Sequence, residues 1–259
     1  MSGDRRVYRS DPIQEALCEL RFRKPTSGWA LLPGLLYERL RDDYPAEPIQ
    51  DSSGFNIGPI PGGPNVAQVQ FMMGQGVPGR IRLCSEDNSE QLLIAGNSIT
   101  VSCLRPYKGW TRFRERIVRV VQNLDEVFED GFDLERIGVR YINKVTSALD
   151  EVDKYFGVKP VQYSEVPLKL ANFICRSELP LIEDENTLIV ATFASVMGEQ
   201  AIALDLDVIS QNLTGVDSVS QCMDLVDRLR QLEREAFEMS ITDEAREGPF
   251  GGFDVSASG

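Results

Sequence analysis

The sequence predicts an α+β fold: duplicated β-α-β-β-β-α units forming one curved antiparallel sheet, with long helices on one face. Three observations predict it. Alternating apolar runs recur at 12–22 and 134–145. A long amphipathic stripe closes each half, at 109–129 and again from about 217 to 239. Between run and stripe, each half carries a short helix pattern and then three strand candidates separated by turn residues.

In the first half, PIQEALCELRF at 12–22 alternates as a strand. Residues 28–43 place Trp29, Leu32, Leu35, Leu36 and Leu40 at helical spacing, with Pro33 in the first turn or kinking it. That helix ends before Tyr44-Pro45, because the residue preceding a proline disfavours the α region. Residues 51–64 read as loop. Val66–Met73, Arg80–Cys84 and Gln91–Leu104 follow as strands, and Trp110, Phe113, Ile117, Val120, Val121, Leu124 and Phe128 form one face of a helix.

The second half repeats the order. Leu134–Val145 alternates as a strand and Leu149–Phe156 is a short helix. Phe173–Leu181, Thr187–Ser195 and Gln200–Ser210 are strands, and a helix capped near Asp217 runs to about Met239. The units span 1–131 and 132–247 as one continuous domain, and the Gly- and Ser-containing tail 248–259 is expected to be disordered. Units of this order commonly fuse their sheets, as in TATA-binding-protein-like and helix-grip architectures.

Composition excludes much. The chain has no histidine, which removes His-activated nucleophiles, His-ligated zinc or haem and the usual neutral-pH base. The cysteines, Cys18, Cys84, Cys103, Cys175 and Cys222, contain no C-x-x-C and read as buried thiols of a reducing compartment. No cofactor signature is present, so none is expected. No apolar run approaches the roughly 18–20 residues that span a bilayer, and the polar N-terminus lacks a secretory signal, so the expectation is a cytoplasmic protein without membrane contact.

The net charge of −13 lies almost wholly in the second half: 16 Lys+Arg face 17 Asp+Glu in 1–130, and 11 face 23 thereafter. This argues against a broad nucleic-acid binder, which needs a basic footprint, while leaving a narrower one open. It suits a partner with a basic surface, and plain solubility equally well.

Several phrases carry a family resemblance. They are Pro12-Ile13-Gln14-Glu15 leading to Arg21-Phe22, Tyr44-Pro45, Trp110 at a helix start, Ile137-Gly138-Val139-Arg140-Tyr141-Ile142-Asn143, and Phe237-Glu238-Met239-Ser240-Ile241-Thr242-Asp243-Glu244. With these G-x-R-Y-I-N and F-E-x-S-I-T-D motifs, the chain resembles a sporadically distributed family of uncharacterised prokaryotic proteins of about 250 residues. The resemblance covers residues 10 to 250 and brings no catalytic residue with it. Patchy occurrence of that kind implies an antiviral-defence or toxin–antitoxin-like role.

Candidate sites follow from residue types. Asp205-x-Asp207 on a strand puts both carboxylates on one face, where they could hold Mg²⁺, or simply form a solvated face. Arg140 and Ile142 share one strand face, Tyr141 and Asn143 the other. Arg140, Tyr141 and Asn143 could read a nucleotide or an acidic partner, or Arg140 could pair internally with Glu15 or Glu19. Arg112, Arg114, Arg116 and Arg119, with Lys108, give the central helix a basic flank for phosphates or an acidic protein, unless it is ordinary solvated surface. The loop Gly54–Gly63 matches no phosphate-binding motif. The 237–244 segment, with Phe250 and Phe253, is either a second capped turn or a docking element for a partner or sister subunit.

The leading expectation is a non-enzymatic interaction or regulatory subunit, with another protein or a second copy as partner. A metal- and carboxylate-dependent enzyme on nucleotides and a small-ligand, nucleotide-type sensor are the alternatives.

Overall fold

The computed structural model describes residues 8–23, 29–50, 56–59, 67–70, 80–128, 131–147, 149–158, 160 and 170–253. The first half runs β1 (Ile13–Phe22), α1 (Leu32–Arg39, after a 3₁₀ turn at Trp29–Leu31), β2 (Ile49–Gln50), β3 (Asn56–Pro59) and β4 (Ala67–Gln70). It continues with β5 (Ile81–Cys84), β6 (Glu90–Ala95), β7 (Ser98–Leu104) and α2 (Trp110–Val127). The second half runs β8 (Leu134–Thr146), α3 (Val152–Tyr155), β9 (Ile174–Leu181), β10 (Asp184–Ser195), β11 (Ala201–Gln211), α4 (Val219–Ser240) and α5 (Asp243–Glu247).

Among the described residues, nine strands form one antiparallel sheet in the order β2-β5-β6-β7-β1-β8-β11-β10-β9. The alternation read in 12–22 is realised in β1. Ala16, Cys18, Leu20 and Phe22 are buried under the helices, while Glu15, Leu17, Glu19 and Arg21 point to the other face. The helix-side core takes Ile137, Val139 and Tyr141 from β8, and Phe113, Ile117, Val120 and Leu124 from α2. Cys222, Val226 and Leu229 of α4 complete it. The N-cap of α4 is Ser218, one residue past the expected Asp217, and its hydroxyl accepts from the Gln221 N–H. Pro33 occupies the first turn of α1, where a proline removes no helical hydrogen bond. Among the described residues, no helix is long and apolar enough to cross a membrane. All five cysteines are free thiols, and all but Cys175 are buried.

Three expectations change. Gln91–Leu104 is a hairpin, β6 and β7, rather than one strand. Gly96 supplies the left-handed turn conformation at φ +54°, and Asn97 Nδ2 ties the turn to the Phe22 carbonyl at 2.6 Å. The parity of its buried residues shifts from Leu92 and Ile94 to Ile99, Val101 and Cys103, which a single strand cannot do. β3 and β4 pair with each other outside the main sheet, so Asn56–Pro59 is strand, not loop. The rest of 51–64, including most of Gly54–Gly63, lies outside the described residues.

The third change concerns the tail. Residues 248–253 are not disordered, because Phe250 is buried against Tyr8 and Phe237, and Tyr8 bridges to Phe253. Residues 254–259 lie outside the described residues. Aromatic side chains near the C-terminus thus find their apolar contacts on their own N-terminal segment. Phe250→Ala is expected to cost about 3–5 kcal/mol, read as a lower urea midpoint; a loose tail would leave that midpoint unchanged.

Candidate functional site

The strand period of β8 sorts the Arg-Tyr-Ile-Asn motif between two environments. Arg140 lies on the sheet face away from the helices, where its Nε and Nη2 donate to Asp205 Oδ1 and Oδ2 at 2.7 and 2.6 Å. The expected internal pairing to a carboxylate is thus made, bidentately, with Asp205 across the β8–β11 ladder, and the Glu15 charge adds a further attraction. Glu19 is instead engaged by Arg136 and Arg21, and Glu15 accepts from Ser102 Oγ at 2.6 Å. Asp207 lies 3.8 Å from Arg136, and burial pushes its carboxyl up to about 6. Gly138 leaves the room: a Cβ there would sit 3.4 Å from Asp207 Oδ1.

Asp205-x-Asp207 therefore has both carboxylates on one face, yet Asp205 is buried and held bidentately by Arg140 instead of forming a solvated face. No group of three or more metal-ligating side chains occurs among the described residues.

The central-helix arginines each pair with a carboxylate of the same chain, and Arg116 does so in the interior. Arg116 is buried and bridges Asp43, after α1, and Glu90 of β6. Arg112 donates to Glu90 Oε1 at 3.0 Å, Arg119 reaches Asp43 at 2.9 Å, and Arg114 grips Asp227 of α4 at 2.7 Å. Arg112 and Arg116 thus sit together, and on different elements from Arg140.

Tyr141 and Asn143 face the helix side, where they line a cavity of about 460 Å³. Two turns of α4 supply Arg230, Glu233, Arg234 and Phe237, residues spaced to share a helix face. The link from β7 to α2 brings Tyr107 to Thr111, and the N-terminal segment brings Tyr8 and Asp11 to Ile13. Gly109, at φ +91°, lets the chain turn into α2 at the rim.

The polar groups converge. Tyr107 and Tyr141 share a hydroxyl–hydroxyl hydrogen bond of 2.8 Å. Burial raises both phenols, so both stay protonated and one O–H remains to donate elsewhere. The Arg230 guanidinium lies over the Tyr141 ring at 4.2 Å and within 5.7 Å of Trp110, and it donates to Glu233 Oε2. Glu233 is only 2% exposed, and burial pushes its carboxyl up to about 7. Asn143, also buried, donates to the Leu204 carbonyl at 3.3 Å and keeps its amide oxygen for another donor.

No protein-family model matches the chain, and a search of the curated proteins gives no significant match. What the cavity can do is read from its chemistry.

Its walls are aromatic (Tyr8, Tyr107, Trp110, Tyr141 and Phe237) and its charges balance, with Lys108, Arg230 and Arg234 against Asp11, Glu233 and Glu238. Lys108 is turned to Asp87 and Ser89, and Glu238 to Tyr8 and Arg246, so the Arg230–Glu233 pair, Asn143 and the tyrosine pair occupy the centre. Of this set, the sequence motifs contained Tyr141 and Asn143. Glu233 had its own signal, since it falls seven residues after Val226 and four after Leu229, on the apolar stripe of α4.

Two outcomes are expected. Arg116→Ala removes the buried cation between Asp43 and Glu90, which then keep only the half-exposed Arg119 and Arg112, and is expected to cost on the order of 3 kcal/mol, measured by denaturant unfolding. Arg112→Ala, at a half-exposed position, should cost about 1 kcal/mol or less. For Glu233, the folded carboxyl holds its proton up to about 7, whereas its ordinary value is 4.5. The unfolded chain binds fewer protons between those values, so this group makes stability fall as pH rises through that window. Asp207 has the same sign; the difference between wild type and Glu233→Gln therefore isolates Glu233, and the variant is expected to show the shallower slope in melting temperature against pH.

Proposed function

We propose that this protein is a non-enzymatic regulatory subunit that senses a small planar nitrogen heterocycle, of the nucleobase or nucleotide type, bound in the cavity between α2, α4 and β8. The observation that carries this reading is the convergence of Glu233, Asn143 and the Tyr107–Tyr141 pair inside an aromatic-walled cavity. Apolar walls with a few converging polar groups are the usual anatomy of a small-molecule site. Flat rings suit Trp110, Tyr107 and Phe237 as stacking walls. A carboxyl group accepts ring N–H and amino groups when ionised and donates to a ring nitrogen when protonated, while a carboxamide both donates and accepts along a base edge. The volume lies within the range of roughly 300–1,000 Å³ common to such pockets.

The setting is proposed with it. The resemblance to a patchily distributed prokaryotic family supports a role in antiviral defence or a toxin–antitoxin-like system, in the cytoplasm, where five free thiols stay reduced. We read residues 1–131 and 132–247 as duplicated β-α-β-β-β-α units of one domain, in a TATA-binding-protein-like or helix-grip-like arrangement. Support comes from the strand order, in which β1-β7-β6-β5 runs outward on one side of the centre and β8-β11-β10-β9 on the other. The reading as a carboxylate-dependent metal enzyme has less support, because Arg140 occupies both oxygens of Asp205.

The test is a thermal-shift panel of guanosine, adenosine, cytidine, uridine and their 5′-monophosphates on wild type, Glu233→Gln and Asn143→Ala. A ligand at a hundred times its Kd stabilises by about 2.7 kcal/mol, roughly 5–10 °C for a chain of this size. That shift is expected for at least one base and should be lost in both variants. A flat response over the whole panel sinks the reading.

A further inference from the structure

We propose that two copies of this chain associate edge to edge through β9, about a two-fold axis passing beside Ser177. β9 ends the nine-stranded sheet, and the opposite end is only the two-residue β2. Among the described residues β9 pairs on one side only, and an eight-residue strand of that kind is a template for another strand. Residues 176–180 are exposed, and Leu179 and Ile182 stand out as large apolar side chains at 52% and 99% exposure.

The backbone phase of that edge follows from its inner ladder. Ser195 N–H donates to the Phe173 carbonyl at 3.1 Å, and the register continues without a break through Cys175↔Phe193, Ser177↔Ala191 and Leu179↔Ile189. Antiparallel pairs alternate between bonded and non-bonded. The N–H and C=O groups of residues 173, 175, 177 and 179 therefore point inward to β10. Those of Ile174, Arg176 and Glu178, with the carbonyl of Pro180, point out. Pro180 occupies an outward position, where its missing N–H costs nothing in the inner ladder.

Charge then selects the register. Arg176 and Glu178 lie on the same strand face, 2.8 Å apart, and are 52% and 60% exposed. A two-fold at Arg176 or at Glu178 sets identical charges directly opposite one another, which is destabilising. A two-fold at Ser177 sets Arg176 opposite the partner's Glu178, and the reverse, with Cys175 opposite the partner's Leu179. Arg176 and the partner's Glu178 are then a bonded pair that exchanges two main-chain hydrogen bonds, twice over by symmetry. Edge charges of one sign keep sheets apart; an Arg-x-Glu edge is complementary to its own copy.

The full chain is examined by sedimentation equilibrium and native mass spectrometry over a wide concentration range. Wild type is expected to be a dimer. Glu178→Arg sets like charges opposite at both symmetric positions and should weaken the dimer at least about tenfold. Arg176→Glu combined with Glu178→Arg exchanges the two charges and should restore it. Glu178→Pro removes an outward N–H only, so it should abolish the dimer while the monomer stays folded, with a melting temperature that no longer depends on concentration. A wild type that stays monomeric throughout overturns the proposal, as does a dimer indifferent to Glu178→Arg and Glu178→Pro. Failure of the charge exchange to restore association overturns it too. None of these residues lines the cavity, so the result is independent of ligand binding.

Discussion

The rest of the structure depends on β8, a thirteen-residue strand paired along its length with β1 on one side and β11 on the other. It is the seam between the two halves of the sheet. Its period of two sends Tyr141 and Asn143 to the helices and Arg140 and Arg136 to the opposite face. A slip of one residue would place two arginines in the apolar core and a tyrosine outside it. The helix-side core on one face and the Arg–carboxylate pairs on the other therefore hold the same register.

Charged side chains do more internal tethering than the acidic composition suggests. Arg116 joins α2 to the end of α1 and to β6, Arg114 joins α2 to α4, and Arg140 joins β8 to β11. Removing such groups from water is costly, and mutual attraction with satisfied hydrogen bonds offsets that cost when the partners are held in place. The tethers are worth more as constraints on how helices seat on the sheet than as net stability. They also leave α2 with little free positive charge to offer a phosphate or an acidic protein.

The cavity owes its shape to the two ends of the chain. Tyr8 packs on Phe237, Phe250 and Phe253 and donates to Glu238, which Arg246 also engages. α5, capped by Thr242, turns the chain back so that Phe250 can reach this cluster. One wall is therefore built late in the sequence, against residues near its start. Cavity and β9 edge sit on separate elements, joined through the β8-β11-β10 part of the sheet.

Local periodicity determined the α+β class, most strand and helix positions, and the division of Arg140 and Ile142 from Tyr141 and Asn143. Each depends only on which neighbours along the chain are apolar. Pro33, the capped start of α4 and the capped turn at Thr242 were legible for the same reason, since caps act within a few residues. The β6–β7 hairpin was legible in principle, through the parity shift across Gly96-Asn97. Only the tertiary structure decided that Arg140 pairs with Asp205, that Arg116 is buried between Asp43 and Glu90, and that Glu233 and Arg230 meet the Tyr107–Tyr141 pair. These partners lie 26 to 126 residues apart or on different elements, and whether a charge is solvated, paired or aimed into a cavity depends on what folds over it.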